Sequence, residues 1–213
     1  MTYYYQPKCI EKKYISDDIK IIYNNDFYKI IAINDIKKGT IIMKETSDYN
    51  LFGHYKTNQI LDILYLMLKN KDDIKIINLY PRNNIKLINQ YKNPYLIDLL
   101  KEIKYCSNNK IKKFLLEHDN DTLYTYYYKI LFNAFDMYGS PVLLFNGAMI
   151  NHSCTPNVKF YESNNTMYFE TLTNVKKGEE ITYSYLRNVV IKTTKEKHLY
   201  LLNHYNFKCQ CSL

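Results

Sequence analysis

The run Asn146-Gly147-Ala148-Met149-Ile150-Asn151-His152-Ser153-Cys154-Thr155-Pro156-Asn157-Val158 constrains this chain more than any other stretch. An apolar lead-in, Val142 to Phe145, delivers the backbone to it, and Gly147 permits a close approach to a neighbour. Asn151, His152, Ser153 and Cys154 then set amide, imidazole, hydroxyl and thiol side by side. Pro156 stiffens the exit, and an alternating, strand-like run follows. Alone, four such residues read as a polar turn with a buried cysteine. Two later stretches change that reading. Residues 178–185 are Gly-Glu-Glu-Ile-Thr-Tyr-Ser-Tyr, and residues 207–211 are Phe-Lys-Cys-Gln-Cys.

A chain of 213 residues makes one domain, or one domain carrying an insert. Its 46% of hydrophobic residues suffice for a sizeable core. The 24 tyrosines and the absence of tryptophan point to a low-GC genome rather than to a function. Net charge is +8, which raises the question of a nucleic-acid partner. The lysines are scattered, often beside asparagine, with no long basic block, so they read as a solvated surface. Five cysteines stand at 9, 106, 154, 209 and 211. Met1 to Ile10 lacks the apolar region of a secretory signal, so a reducing, intracellular setting is expected, with thiols serving metal rather than disulfides. No run reaches the roughly 18 apolar residues of a membrane span.

Residues 1–20 carry no clear pattern and are expected to form an arm. Tyr28 to Asn34 and Thr40 to Lys44 read as two strands joined by Lys37-Lys38-Gly39. Residues 57–138 read as helices with four apolar stripes. These are Ile60, Ile63, Leu64, Met67 and Leu68; then Leu96, Leu99, Leu100 and Ile103, begun by Asn93-Pro94. Ile111, Phe114 and Leu115 follow. The last is Leu123, Tyr127, Ile130, Leu131, Ala134 and Tyr138, capped by Asp121 and stopped at Gly139-Ser140-Pro141. Asn157 to Tyr161 and Thr166 to Leu172 form a hairpin, and Glu180 to Tyr185 is a final strand. Asn174-Val175-Lys176-Lys177-Gly178 echoes Asn34-Asp35-Ile36-Lys37-Lys38-Gly39, the same turn chemistry used twice. Thr193-x-x-Glu196 is a capping box for a helix that turns Leu199, Leu202 and Tyr205 inward.

Asn-His-Ser-Cys-Thr-Pro-Asn at 151–157, Gly-Glu-Glu-Ile-Thr-Tyr-Ser-Tyr at 178–185 and Cys-x-Cys at 209–211, in this order, resemble the SET domain of protein-lysine methyltransferases. The SET-MYND type is the nearest in pattern, and Asn133-Ala134-Phe135 also fits it. Cys106 is the one cysteine of the helical insert, so that insert is no zinc-binding MYND module. The resemblance implies an α+β class: a β-rich SET fold of small sheets with a pseudoknot-like C-terminal threading, plus the helical insert. It divides the chain into an N-terminal arm and first strands (1–48), a helical insert (49–130), a core with cofactor and catalytic motifs (131–186), and a C-terminal helix with a cysteine tail (187–213).

The implied reaction is methyl transfer from S-adenosyl-L-methionine to a protein lysine, histone or non-histone. The alternative is a catalytically silent module of the same fold that binds protein. By resemblance Tyr185 is the catalytic tyrosine, with Tyr183 and Tyr205 as pocket tyrosines. Asn151, His152, Asn133 and Phe207 would meet the cofactor, and Phe135 with Tyr183 would line the lysine channel. The family carries Gly-x-Gly where this chain has Phe27 and Lys29, and Lys29 is expected to meet the cofactor carboxylate by charge instead. Cys154, Cys209 and Cys211 would bind zinc, but the family's last tail cysteine would fall beyond Leu213. A water, His204, the terminal carboxylate or a further residue would supply the fourth ligand. The expected partner is a lysine-bearing protein, with no specific nucleic acid and no membrane, and the expected state a monomer.

Overall fold

The computed structural model describes residues 13–24, 27–47, 59–81, 92–186, 189–191 and 193–211. In chain order the elements begin with strands β1 (Tyr14–Ile15), β2 (Ile19–Asn24), β3 (Phe27–Ala32) and β4 (Ile41–Glu45). Helices α1 (Gln59–Lys69), α2 (Ile74–Asn78), α3 (Lys92–Tyr105), α4 (Asn109–Leu116) and α5 (Asn120–Asn133) follow. The hairpin strands β5 (Ala134–Met137) and β6 (Ser140–Leu143) lead through a 3-10 turn (Gly147–Met149) to β7 (Asn151–His152). Strands β8 (Val158–Ser163), β9 (Thr166–Thr171) and β10 (Glu180–Tyr183) precede the last helix, α6 (Thr194–Tyr205). Two compact units result, residues 1–46 with 149–184, and residues 47–148 with 185–213. No helix among the described residues is long and apolar enough to cross a membrane.

The first unit holds two four-stranded sheets, ordered β1-β4-β9-β8 and β2-β3-β10-β7. Isoleucine-rich strands supply its core: Ile30, Ile42, Met43, Ile150, Phe169 and Ile181 are fully buried. In β9, Met167, Phe169 and Thr171 are buried and alternate with Tyr168 and Glu170, the period-2 pattern of a strand. The expected arm is in part strand: Tyr14 pairs with Lys44, and Ile19 to Asn24 pair along β3. The first twelve residues of that arm lie outside the described residues.

The echoed turns of this unit grip each other. Ile36 and Val175 exchange both backbone hydrogen bonds at 2.8 Å. Asn174 Oδ1 accepts from the Lys38 amide, and Asp35 Oδ1 from the Lys177 amide, both at 2.9 Å. Lys176 Nζ reaches Asp35 Oδ2 at 2.9 Å. The two donations from Lys177 and Lys176 hold the Asp35 carboxyl below its ordinary range. Gly39 and Gly178 take positive φ of 82° and 88°, which is what the shared Lys-Gly pattern is for.

The second unit is helical. Ile63, Leu64 and Met67 of α1, Leu99 and Ile103 of α3, Leu115 of α4 and Ile130 of α5 are buried in one cluster. The side chain of Leu96, expected in that stripe, lies outside the described residues. The short helix α2 carries none of the four named stripes; Asp73 caps its start, and buried Lys129 donates to the Ile76, Ile77 and Leu79 carbonyls at its end.

Three local expectations are corrected. Helix α5 is capped by Asp119, not Asp121: the Asp119 carboxylate accepts from the Thr122 amide at 2.8 Å. The helix stops at Asn133, and Ala134 to Tyr138 leave it for the hairpin β5–β6. The turn of that hairpin places Tyr138 at φ 51° and Gly139 at 77°, and Tyr138 is exposed rather than in the core. The capping box of Thr193 and Glu196 forms as expected, but Leu199 and Leu202 face solvent. Lys197 and Leu201 are the buried side chains of α6 instead, and the Lys197 ammonium is satisfied by the Cys211 carbonyl at 3.0 Å.

Candidate active site

Strand β7 is two residues long, yet it fixes the candidate residues of the first unit. It runs parallel to β10, with Asn151 opposite Thr182 and His152 opposite Tyr183. The Ser153 amide extends the pairing, donating to the Tyr183 carbonyl at 3.0 Å. This register joins two sequence blocks that lie about thirty residues apart. Asn157 fastens the same strand from its side: its Nδ2 donates to the Glu180 carbonyl at 2.8 Å, and its Oδ1 accepts from the Thr182 amide at 2.9 Å. One amide side chain thereby satisfies two backbone groups of β10.

Asn151 is equally engaged. Its Nδ2 donates to the Tyr28 carbonyl at 2.9 Å and to Glu180 Oε1 at 2.7 Å. Tyr28 immediately precedes Lys29, which pairs with Ile22 in regular strand. A regular strand needs no glycine, so the chain carries Lys29 there without a strained backbone. The side chain of Phe27 lies outside the described residues. His152 Nε2 stands 3.3 Å from Cys154 Sγ. Tyr183 meets Phe160 edge to face, ring centroids 5.3 Å apart at 90°.

In the second unit, Tyr185, Tyr205 and Phe207 gather. The Tyr185 ring lies 4.7 Å from Tyr205 and 6.1 Å from Phe207, the latter edge to face at 83°. Helix α6 delivers Tyr205 as its last residue. Asn206 then turns left-handed at φ 60° with its amide donating to the Leu202 carbonyl, a helix stop that swings Phe207 back. Burial pushes the Tyr205 hydroxyl up to about 12, with a smaller contribution from Tyr200. The tail beyond is tied down by Lys197, and the Cys211 amide donates to Cys209 Sγ at 3.2 Å. His204 is exposed, and its ring lies 4.2 Å from that of Tyr200 with the planes inclined at 33°.

Asn133 and Phe135 sit in this unit at the junction of α5 and β5. Asn133 is buried, and its Nδ2 donates to the Lys129 carbonyl at 2.8 Å and to the Tyr80 carbonyl. Both of its amide hydrogens are therefore used within the chain, leaving Oδ1 for any ligand. Phe135 is buried and pairs with Val142 across the hairpin. The sequence reading assigned no role to Glu180, Asn157 or Lys197. No local sequence signal marks Glu180, because its contact with Asn151 arises only through the β7–β10 register.

Small sheets, a parallel β7–β10 pair and a helical segment define a mixed α+β protein of SET type. The SET domain family matches residues 28–186, and the chain belongs to that family. A SET domain-containing protein of Acanthamoeba polyphaga mimivirus is 33% identical over 183 residues, 85% of this chain and 71% of that one. A SET and MYND domain-containing protein of Dictyostelium discoideum is 39% identical over 66 residues, 31% of this chain and 16% of that one. Among solved structures, the SET domain of LSMT bound to lysine and AdoHcy aligns with a TM-score of 0.65 at 13% identity, covering 91% of this chain and 52% of that one. Rubisco LSMT bound to AdoMet aligns at 0.60 with 15% identity, covering 91% of this chain and 52% of that one. These two likenesses are of fold, and the chain spans about half the length of either protein.

Proposed function

We propose that this chain is an S-adenosyl-L-methionine-dependent methyltransferase acting on a protein lysine. The observation that carries the reading is the parallel register of β7 on β10, which aligns Asn151 and His152 with Thr182 and Tyr183. The residues fit the cofactor's demands: an amide and an imidazole on one strand pair, and an aromatic, Phe207, packed on Tyr185. When bound, the cofactor supplies an electrophilic methyl group. The chain's part is to orient the lysine amine and keep it neutral and dry. Tyr185 and Tyr205 suit that task, because half-buried phenols accept and donate hydrogen bonds while their rings tolerate a cation. Tyr205 keeps its proton throughout the working range, since its hydroxyl titrates only near 12.

Cys154, Cys209 and Cys211 are proposed as zinc ligands. Soft thiolates are the donors that zinc selects, and the His152 imidazole beside Cys154 offers a further nitrogen donor. The substrate class is a lysine-bearing protein, histone or non-histone, and the chain is proposed to act as an intracellular monomer.

Incubation with labelled S-adenosyl-L-methionine and a protein panel, read by mass spectrometry, tests the reading. Lysine methylation of a panel member supports it. Absence of both transfer and cofactor binding removes the methyltransferase reading and selects the silent module.

A further inference from the structure

Among the described residues, the Glu180 side chain makes one hydrogen bond, to Asn151. Its Oε1 accepts from Asn151 Nδ2 at 2.7 Å, while the other hydrogen of the same amide goes to the Tyr28 carbonyl at 2.9 Å. A carboxylate oxygen that accepts here, together with the Tyr28 carbonyl, selects the amino end of the Asn151 amide over the flipped orientation. The Asn151 Oδ1 is thereby directed away from both acceptors. Glu180 is itself fixed by Asn157, which holds the Glu180 carbonyl at 2.8 Å and the Thr182 amide at 2.9 Å. Its backbone is fixed on the other side by pairing with Ile31 of β3. The contacts form one relay, from Asn157 through Glu180 and Asn151 to Tyr28, the residue before Lys29.

We infer that Glu180 is a positioning residue for the cofactor site, orienting the Asn151 amide so that it braces β3 at Tyr28 and turns its oxygen to the ligand. The inference rests on the methyltransferase reading and deepens it.

Three substitutions separate this role from a charge effect. Glu180→Asp keeps the charge but withdraws the acceptor by one methylene. Glu180→Gln removes the charge but keeps an acceptor oxygen in place, and Glu180→Ala removes both. In the full chain, S-adenosylhomocysteine and S-adenosyl-L-methionine affinities are measured by calorimetry, and turnover at saturating cofactor by mass spectrometry. With one charge-assisted hydrogen bond lost, Glu180→Asp and Glu180→Ala should weaken cofactor binding roughly tenfold, with turnover at saturation held within about threefold. Glu180→Gln should stay within about threefold in both. The Asn151 side-chain amide resonances should shift in Glu180→Ala and Glu180→Asp even without cofactor.

Wild-type affinity in Glu180→Asp overturns the inference while leaving the methyltransferase reading intact. Glu180→Gln as weak as Glu180→Ala also overturns it, because charge and not the hydrogen bond would then be at work. Unmoved Asn151 resonances in Glu180→Ala overturn the strut itself, whatever the cofactor does. A wild-type chain that binds neither cofactor form, with the resonances shifting as expected, overturns the methyltransferase reading and with it the cofactor role of Glu180.

Discussion

Tyr185 and Tyr205 meet ring to ring, with centroids 4.7 Å apart and planes inclined at 45°. One comes from the segment just after β10 and the other from the last turn of α6, so twenty residues of chain are closed by this contact. Phe207 adds an edge contact to Tyr185 and completes a three-ring cluster. A tilted pair at this distance is a favourable aromatic arrangement and limits the rotation of both phenols.

In the proposed reaction the Tyr185 hydroxyl acts on the reacting atoms, and cofactor binding is assigned to Asn151 and its neighbours. Tyr185→Phe keeps the ring packing against Tyr205 and Phe207 and deletes one hydrogen-bonding group. Its loss should cost roughly 1–3 kcal/mol in the transition state, or about 5- to 150-fold in turnover, with cofactor affinity nearly unchanged. Calorimetry and single-turnover rates on the same preparation check both halves. Equal turnover in mutant and wild type removes Tyr185 from the reaction.

Tyr205 predicts an alkaline signature. Its ordinary value is 10.0, and burial lifts it to about 12 in the folded chain. The folded state thus holds this proton more tightly than the unfolded one. Between about pH 10 and about pH 12 the folded chain binds more protons, so stability falls as pH rises through that window and is unaffected by this group below it. The two-unit shift corresponds to about 2–3 kcal/mol lost across the window. Urea unfolding at stepped pH should show a steeper alkaline decline in wild type than in Tyr205→Phe. Parallel curves would show that Tyr205 is not shielded from water.

The interlocked turns predict a backbone cost without a packing cost. A Cβ built on Gly39 or Gly178 meets nothing within 4 Å, yet both positions have φ above 80°. Gly178→Ala should therefore destabilise by roughly 1–2 kcal/mol through conformation alone. Gly178→Asn should lose less, because asparagine tolerates the left-handed region. Denaturant midpoints for the two variants check the order, and an alanine variant as stable as wild type would show that the turn relaxes.

What could be read from the sequence divides along the range of the interactions that decide it. The strands β3, β4, β8 and β9 were legible because alternating isoleucines and Lys-Gly turns are local signals. The capping box of α6 was legible for the same reason. The end of α5 was not: Ala134 to Tyr138 keep an apolar spacing that serves helix or strand, and Tyr138 occupies a positive φ that tyrosine does not announce. The buried face of α6 was misread because Lys197 is satisfied by a carbonyl 14 residues later, a contact with no local trace. Asn151 and His152 were legible as a pair of chemical interest, but their anchor, Glu180, lies 29 residues from Asn151 and enters through register.

The cysteines give the last prediction. Cys154 is half-buried with the His152 imidazole 3.3 Å from its sulfur, and Cys209 is buried with its sulfur accepting the Cys211 amide. Zinc binds cysteine as the thiolate. Zinc held by Cys154, Cys209 and Cys211 would pin the tail that carries Phe207 and follows Tyr205. Removing it should loosen that tail and lower turnover as well as stability, because binding free energy at such a site is also folding free energy. Elemental analysis of tag-free protein should find zinc near one per chain, falling sharply in Cys209→Ser. Chelation should lower turnover in parallel with the loss of metal, and re-addition of zinc should restore it. Zinc below about 0.2 per chain, with turnover indifferent to chelator, retires the site, since a structural zinc of ordinary affinity survives purification.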